Sequence, residues 1–467
     1  MARTWGKLRD TYEGREALLC GKERYLPRPT KMDEARYDSY RNRAKHFGAT
    51  RRTVHAFEGL AFRQPLSVAV PASMTPHLEA LTTTGVSLDG LAKLIFRETL
   101  LLGRYGVLVD FDAMGARPFL AGYPAERILN WSTAVIGGQR QLTQVVLAET
   151  DYRTTADGFT EESVDAVRVL RLLDGLYTQT LYLYSNAGVV VETVDVVPTR
   201  QGAALDFLPF VFFGVNDLEP SLELSTLNDL ADTNLAYWRH SADYEWSLHL
   251  TASPTPWVTG HDASLDIGPD GWPETELILG SDQAIILREP EAKIGILEFQ
   301  GQGLEPLRQA MLDDKQEMAA LGARLLEGPP KGNETLGAFQ MRSLGDTSLI
   351  ACLATSLSAG LSRLLQYHAY WFGAATQPNE AKIHVALPTN FTTVRLEPPL
   401  LQALMAALQA GHISQETFYW NLQQGELAQP GIDFAQEQAR IEAQAPAMVR
   451  LLPGEHQGLP QPGEAAA

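Results

Sequence analysis

The sequence predicts an α+β fold in which an antiparallel β-rich region and several long helices occupy separate stretches of the chain. Three observations carry this expectation. Short apolar runs, separated by Gly, Asn and Asp clusters, succeed one another from Phe119 to Val215. Two helical periodicities, one opening at Pro220-Ser221 and one spanning Leu304–Glu327, enclose a Pro- and Gly-rich stretch from Thr251 to Phe299. A third long helix is expected from Leu336 to Trp371. Strands and helices do not alternate as βαβ units, which argues against a Rossmann-type enzyme domain.

Taken in order, residues 1–64 read as polar, basic helices. Tyr37, Tyr40, Ala44 and Phe47, then Val54, Phe57, Leu60 and Ala61, recur at three-to-four-residue spacing. A helix over Leu88–Leu102 carries Leu91, Leu94, Ile95, Glu98 and Leu102 on one side, and Gly103 and Gly106 punctuate it before a strand at Gly106–Asp110. Within the β-rich region the strands are expected at Gln144–Glu149, Ala166–Leu173, Gln179–Tyr184, Gly188–Val197 and Phe207–Phe213. Ser221 is the expected N-cap of the first long helix, with Glu223 and Asp229 suited to its positive end. Leu227, Leu230, Leu235, Trp238 and Ala242 form its apolar face as far as Leu248. The enclosed stretch has β signals at Thr255–Thr259, Glu276–Ile278 and Ala284–Leu287. Leu304, Leu307, Met311, Met318 and Leu325 define the return helix, which Gly328-Pro329-Pro330-Lys331-Gly332 stops. A strand at Lys382–Leu387 and helices at Pro399–Ala410 and Ser414–Gln424 complete the ordered chain. The terminal LLPGEHQGLPQPGEAAA lacks an apolar period and is expected to be mobile.

Composition narrows the function. The 467 residues are 45% hydrophobic and 20% charged with eight Trp, a globular rather than disordered balance. Net charge is −18, but residues 1–52 hold 14 Lys/Arg against seven Asp/Glu, a local +7, so the remainder carries −25. Such acidity argues against tight electrostatic binding of nucleic acid. The basic arm reads first as a solvated helical surface and second as a contact with nucleic acid or an acidic partner. Two distant cysteines, Cys20 and Cys352, cannot build a disulfide framework or a thiolate zinc site. The N-terminus has no signal-peptide pattern, and apolar runs such as Leu100–Val109 are too short to span a bilayer, so a soluble chain with no membrane partner is expected.

Catalytic signatures fail on inspection. Gly301-Gln302-Gly303 meets Pro306 where a dinucleotide fingerprint needs its third glycine, and the Gly328–Gly332 stretch lacks Gly-Lys-Ser/Thr order. The ten histidines show no metal-binding pair, and Ser356-Leu357-Ser358-Ala359-Gly360 misses the first glycine of a nucleophile elbow. His240 and His249 read as surface or interface residues, and Asp313-Asp314 as a polar helix face. Asp110-Phe111-Asp112 could hold a divalent cation, although two solvated carboxylates at a strand end explain it more simply. No catalytic residue, metal or cofactor is expected.

The order of parts resembles portal proteins of tailed double-stranded DNA phages. Local phrases resemble a branch of that family long recorded as an uncharacterised domain. They include Tyr37-x-x-Tyr40-x-x-Arg43-Ala44, Gly59-Leu60-Ala61-Phe62-Arg63, Gly103-Arg104-Tyr105-Gly106, Leu208-Pro209-Phe210, and Pro254-Thr255-Pro256-Trp257. Further along stand Leu297-Glu298-Phe299, Met318 through Leu326, and Gly411-x-Ile413-Ser414-x-Glu416-Thr417. Where the family often carries a Glu-Thr-Ala type sequence, this chain has Asn333-Glu334-Thr335-Leu336-Gly337-Ala338.

The resemblance implies N-terminal helices and a β-rich wing (1–218), a first stem helix (219–250), a small α/β clip (251–301) and a second stem helix (302–327). A tunnel loop (328–337), a long wing helix with its strand (338–396), crown helices (397–450) and a flexible tail (451–467) follow. It further implies a ring of about 12 copies at the capsid vertex of a virion, made in the host cytoplasm. Double-stranded DNA would pass through the channel during packaging and ejection. The partners implied are the large subunit of the packaging terminase, the major capsid and scaffold proteins, and tail adaptors. Gly328, Pro329, Pro330, Lys331, Gly332, Asn333 and Glu334 would form the tunnel loop. Arg41, Arg43, Lys45, Arg51 and Arg52 would face capsid or packaged DNA, or else pair across subunits. The rival readings are a metal-dependent nucleic-acid-processing accessory enzyme using Asp110 and Asp112, and a capsid-associated adaptor.

Overall fold

In the computed structural model the described residues are 1–112, 117–154, 158–185, 187–252, 255–259, 291, 293–297, 301, 303–322, 336–379, 382–389, 398–425, 427–429 and 432–444. They belong to two units, Met1–Phe391 and Thr392–Ala467. Helix and antiparallel sheet are mixed, as an α+β fold requires.

The first unit opens with four helices, α1 (Ala2–Glu13), α2 (Arg15–Cys20), α3 (Glu34–Arg43) and α4 (Ala49–Ala61). After the short strand β1 (Ser67–Ala69) comes α5 (Leu88–Leu102), at the predicted bounds. The Ser87 hydroxyl caps it by accepting from Gly90 N at 3.3 Å. At its other end Gly103 is left-handed, and a Cβ there would lie 2.7 Å from the Glu223 carbonyl oxygen.

The strands β2 (Arg104–Asp112), β3 (Arg117–Pro124), β4 (Ile128–Ile136), β5 (Gln139–Thr154), β6 (Glu161–Leu173), β7 (Leu176–Tyr184) and β8 (Val190–Val196) follow. The short β9 (Thr199–Arg200) and β10 (Ala203–Ala204) precede β11 (Phe210–Gly214). Two antiparallel sheets result, an inner one ordered β11-β2-β3 and an outer one ordered β4-β5-β6-β7-β8. Val107, Val109, Val211 and Phe213 on one inner-sheet face join the core of α5. Leu108, Phe210 and Phe212 on the other face pack with Val145, Leu147 and Leu170 of the outer sheet. Burial on both faces explains why β2 reads as a continuous apolar run.

The first long helix, α6 (Asn228–Thr251), starts six residues later than expected from a Ser221 cap. Ser225 supplies the reason. Its hydroxyl donates to Leu100 O at 3.1 Å and accepts from Leu227 N at 3.1 Å, tying the residues before α6 to the end of α5 outside any helix. Of the enclosed stretch, the described part is a ribbon of β12 (Thr255–Thr259) and β13 (Lys293–Leu297), in register from Thr255↔Leu297 to Thr259↔Lys293. The second of these strands was not expected, because alternation is weak across five residues holding Gly295. The other two β signals of that stretch lie outside the described residues.

The return helix is α7 (Leu304–Leu321), and α8 (Leu336–Phe372) is the expected third long helix. The segment Ser348–Phe372 is long and apolar enough, by length and composition, to cross a bilayer, which the shorter runs judged from sequence did not reveal. Here its apolar side lies in the core: Leu357, Leu361, Leu364 and Leu365 are buried. Ser358 and Ser362 accept from Leu387 N and Val385 N, each at 2.9 Å, and so seat strand β14 (His384–Ala386) alongside. A Cβ at Gly360 would overlap the Phe213 ring. The stretch that fails as a nucleophile elbow is therefore a packing surface.

The second unit contains α9 (Pro398–Gln409), α10 (Gln415–Gln424) and α11 (Phe434–Gln444). Ser414 caps α10 by accepting from Thr417 N at 3.0 Å, and Tyr419 OH donates to Ile432 O at 3.1 Å. The terminal tail 451–467 lies outside the described residues.

Candidate functional site

The helices α6 and α7 pack as an antiparallel pair. Their direction follows from two contacts: a Cβ at Gly322, beyond the end of α7, would meet Leu230 near the start of α6 at 3.2 Å, and His240 meets Asp314 mid-helix. The His240 Nδ1–Asp314 Oδ2 distance is 2.7 Å, and Asp314 is 9% exposed. Asp314 is thus a buried partner within the chain, not the solvated helix face expected of Asp313-Asp314. His240 pairs inside the subunit rather than lying free at its surface. At about 1.5 Å per residue, the 24 residues of α6 span roughly 36 Å.

The basic arm wraps this pair. Asn234 is wholly buried, donating to Phe47 O at 2.8 Å and accepting from Thr50 Oγ1 at 3.2 Å. One heptad on, Ser241 accepts from Lys45 N and donates to Lys45 O, both at 2.9 Å. Tyr40 OH donates to Asp243 at 2.5 Å, and Arg239 Nε donates to Tyr25 O at 2.9 Å. Burial, and then the Asp243 carboxylate, push the Tyr40 phenol well above its ordinary value. Trp238 fills the pocket between α3 and α6. Sequence reading missed Asn234 and Ser241, although two small polar residues seven apart inside an apolar stripe were the visible signal.

The five basic residues expected to face capsid or DNA are distributed as follows. Arg41 Nε meets Asp38 at 2.9 Å and its guanidinium donates to Leu19 O at 3.1 Å. Lys45 pairs with Glu245 of α6. Arg51 donates to the Tyr12 and Glu13 carbonyls, both at 2.8 Å, and Arg52 lies 4.9 Å from the centre of the Phe47 ring. Within the described residues, Arg43 and Arg52 are the two of the five with neither an ion pair nor a side-chain hydrogen bond, Arg52 keeping only its contact with the Phe47 ring. Elsewhere in the arm, Lys7 meets Asp232 of α6 at 2.6 Å. Arg9 holds Glu98 at 2.8 Å and Glu126 at 3.1 Å. Burial opposes the Arg9 charge, but these two carboxylates more than offset it and raise its pKa. Much of the local +7 therefore meets carboxylates of the same chain. The residues expected to form the tunnel loop, Gly328, Pro329, Pro330, Lys331, Gly332, Asn333 and Glu334, lie outside the described residues.

The rival site at Asp110 and Asp112 is built differently from the solvated pair expected. Asp110 accepts from Gln179 Nε2 at 3.1 Å and lies 3.7 Å from the Arg168 guanidinium, which also grips Glu149 at 2.7 and 3.0 Å. Tyr123 OH donates to Glu149 as well. This network joins β2 and β3 of the inner sheet to β5, β6 and β7 of the outer one. A basic partner is therefore present beside Asp110, where the sequence showed none, because Arg168 is distant in the chain. Among the described residues no group of three His, Cys, Asp or Glu side chains is placed to hold a metal ion.

A family described as a domain of unknown function (DUF4055) matches residues 226–372, from the start of α6 to the end of α8. No curated protein matches the chain. Among solved structures, the chain is similar to one in the neck of an empty GTA particle computed with C6 symmetry. The TM-score is 0.40 at 14% identity, covering 89% of this chain and 99% of that one. A chain from the virion of a native gene transfer agent (GTA) particle gives 0.39 at 14% identity, covering 86% and 96%. One from the neck of a native GTA particle computed with C12 symmetry gives 0.38 at 13% identity, covering 86% and 98%.

Proposed function

We propose that this chain is the subunit of a ring-shaped phage portal, a virion structural protein that forms the channel for double-stranded DNA at one capsid vertex. One observation carries the reading: two long antiparallel helices, α6 and α7, are joined through a β-ribbon and followed by the long core helix α8. That arrangement agrees with the stem, clip and wing order implied by the sequence resemblance. A rod of roughly 36 Å with one side held by the basic arm leaves another side free for a neighbouring copy. An acidic remainder of −25 suits a conduit, because a basic wall would grip B-DNA in every register.

In this reading residues 251–301 dock the packaging motor and later the tail adaptors, and the β-rich wing meets capsid and scaffold proteins. Gly328–Glu334 are assigned to the channel loop. Of the five basic residues, Arg43 and Arg52, which have no ion pair or side-chain hydrogen bond within the described residues, are the ones assigned to capsid or DNA. The reading assigns no catalysis to the chain. The arginine and amide that occupy Asp110 leave that carboxylate poorly suited to bind a metal, which weighs against the enzyme alternative.

The test is native mass spectrometry with negative-stain microscopy of the purified protein. The expected result is a closed ring of about 12 subunits with an open axial channel. A species that stays monomeric or dimeric at high concentration and with scaffold present would overturn the reading.

A further inference from the structure

The outer sheet ends in two bare strands. Among the described residues, strand β4 pairs only with β5, and β8 pairs only with β7. Each therefore offers one row of unpaired backbone N–H and C=O groups, the ready template for another strand. Soluble proteins usually blunt such edges with Lys or Pro, yet neither residue occurs in Ile128–Ile136 or Val190–Val196. Register shifts disturb β4 at Ile128/Asn130 and Ser132/Thr133, and β8 pairing at Leu183/Tyr184. The stretches Thr133–Ile136 and Glu192–Val196 stay regular. Both leave apolar side chains exposed: Val135 is 72% exposed and Val196 49%.

The two edges differ in charge: one is acidic, and the other is uncharged with arginines nearby. Strand β8 carries Glu192 and Asp195 and no base, whereas β4 carries no charge of its own: Arg127 precedes it, beside a Glu126 that Arg9 holds, and Arg140 lies opposite Val135 on β5. Their partners within the chain are exposed and exchangeable. Glu192 meets Arg153 at 2.9 Å with both side chains nearly half exposed, and Arg140 reaches Glu219 only at 4.0 Å. Joining like edges would set acid against acid, or base against base. Joining unlike edges sets acid against base.

Strand direction adds a second constraint. Four successive antiparallel pairings make β4 and β8 point the same way. Rotation by the small angle between neighbours in a ring of about 12 nearly preserves direction, so β8 of one copy would meet β4 of the next in parallel. A two-fold joint would instead pair β8 with β8 antiparallel.

We infer that the occupant of the β8 edge is the β4 edge of a second copy of this chain, in a head-to-tail parallel joint that runs the outer sheet on from subunit to subunit. The inference rests on the ring reading and deepens it by naming the joint. A parallel pairing of a few residues is weak alone, and closure of the ring multiplies it.

The test uses full-length chains in which Cys20→Ser and Cys352→Ser remove the exposed native thiols. Copies with Val194→Cys are co-expressed with copies carrying Val135→Cys, then treated with a short bis-maleimide. The expected result is a cross-linked pair in the mixture but not in either variant alone, and a ladder of cross-linked species when one chain carries both cysteines. Val135→Lys or Val194→Lys should lower the ring fraction where the wild type is fully assembled, with helical circular dichroism unchanged. A ring that forms without the mixed cross-link would overturn the joint while leaving the portal reading intact. Cross-linking of Val194→Cys copies to each other would also overturn it, in favour of a two-fold contact. A chain that never assembles would sink both.

Discussion

In the inner sheet the central strand β2 is buried without a break from Arg104 to Val109, whereas β8 at the rim of the outer sheet leaves all seven residues exposed. Both sheets are antiparallel and both are rich in Val. What separates them is coverage. The inner sheet has helix α8 on one face and the outer sheet on the other, so each side chain of β2 meets a packed neighbour. The outer sheet buries Val145, Leu147 and Leu170 on one face near its centre, and its burial fades toward the edges. The same residue type thus drives folding in one place and remains open for contact in the other. Burial, not composition, decides which.

That difference predicts unequal consequences for substitution. Phe213 on β11 is 1% exposed and lies against Gly360 of α8. Phe213→Ala should destabilise the chain by about 3–5 kcal/mol, since it removes a large ring from a site that cannot collapse around a glycine. Chemical denaturation should show the loss as an earlier midpoint with an unchanged slope. At the exposed rim, Val194→Lys should stay within about 0.5 kcal/mol of wild type. Equal losses at the two positions would mean that the rim is packed in the isolated chain.

The inner region was also the more legible in the sequence. Helix α5 fell at its predicted ends because a capping serine and a terminal glycine bracket an apolar period. The bounds of α8 came within a residue for a similar reason, an uninterrupted period of apolar residues. Strands β5 and β6 were found but drawn too short, because the residues missed are mostly polar and carry no burial signal; β7 was drawn short by Leu176–Thr178, of which Tyr177 is buried. The start of α6 was misplaced because its real determinant, the bond from Ser225 to Leu100 O, crosses 125 residues. Long-range polar contacts hid the rest of the candidate site too. Nothing local in the chain pairs Asp110 with Arg168, His240 with Asp314, or the basic arm with the carboxylates of α6.

Acidification should probe the helical layer rather than the sheets. No histidine occurs between Arg104 and Gly214, whereas His368 of α8 is 1% exposed and its Nδ1 has no hydrogen-bond partner. Burial first, and then the neighbouring His77 with its ring centre 5.6 Å away, lower the pKa of His368 from 6.5 to about 4. Arg117 also disfavours its charge. Between pH 6.5 and 4 the unfolded chain therefore binds a proton that the fold excludes. Stability should be level above pH 6.5 and fall as the pH drops toward 4, by up to about 3 kcal/mol from this group. His368→Phe keeps the ring and removes the titration, so urea midpoints across this range should fall less steeply than in wild type. Parallel slopes for the two proteins would show that His368 is not the group excluding the proton.

The joint between the two sheets offers a smaller and more selective break. Arg168 grips Glu149 through two nitrogens and donates to Gln179 Oε1 at 2.8 Å, with Asp110 on the facing strand 3.7 Å away. Its side chain is 24% exposed, so water screens part of the interaction. Arg168→Met keeps the aliphatic packing but leaves two carboxylates without their cation, which should lower stability by about 2 kcal/mol, below the full cost of breaking a dry pair. Adding Glu149→Gln should recover part of the loss, because a neutral amide needs no counter-charge. The rim strands lie outside this network, so the double-cysteine chain should still cross-link into a ladder when Arg168→Met is added. Loss of the ladder would show that the rim joint depends on how the outer sheet is seated on the inner one. Its persistence would separate the face of the sheet, which holds the subunit together, from the edge, which holds one subunit to the next.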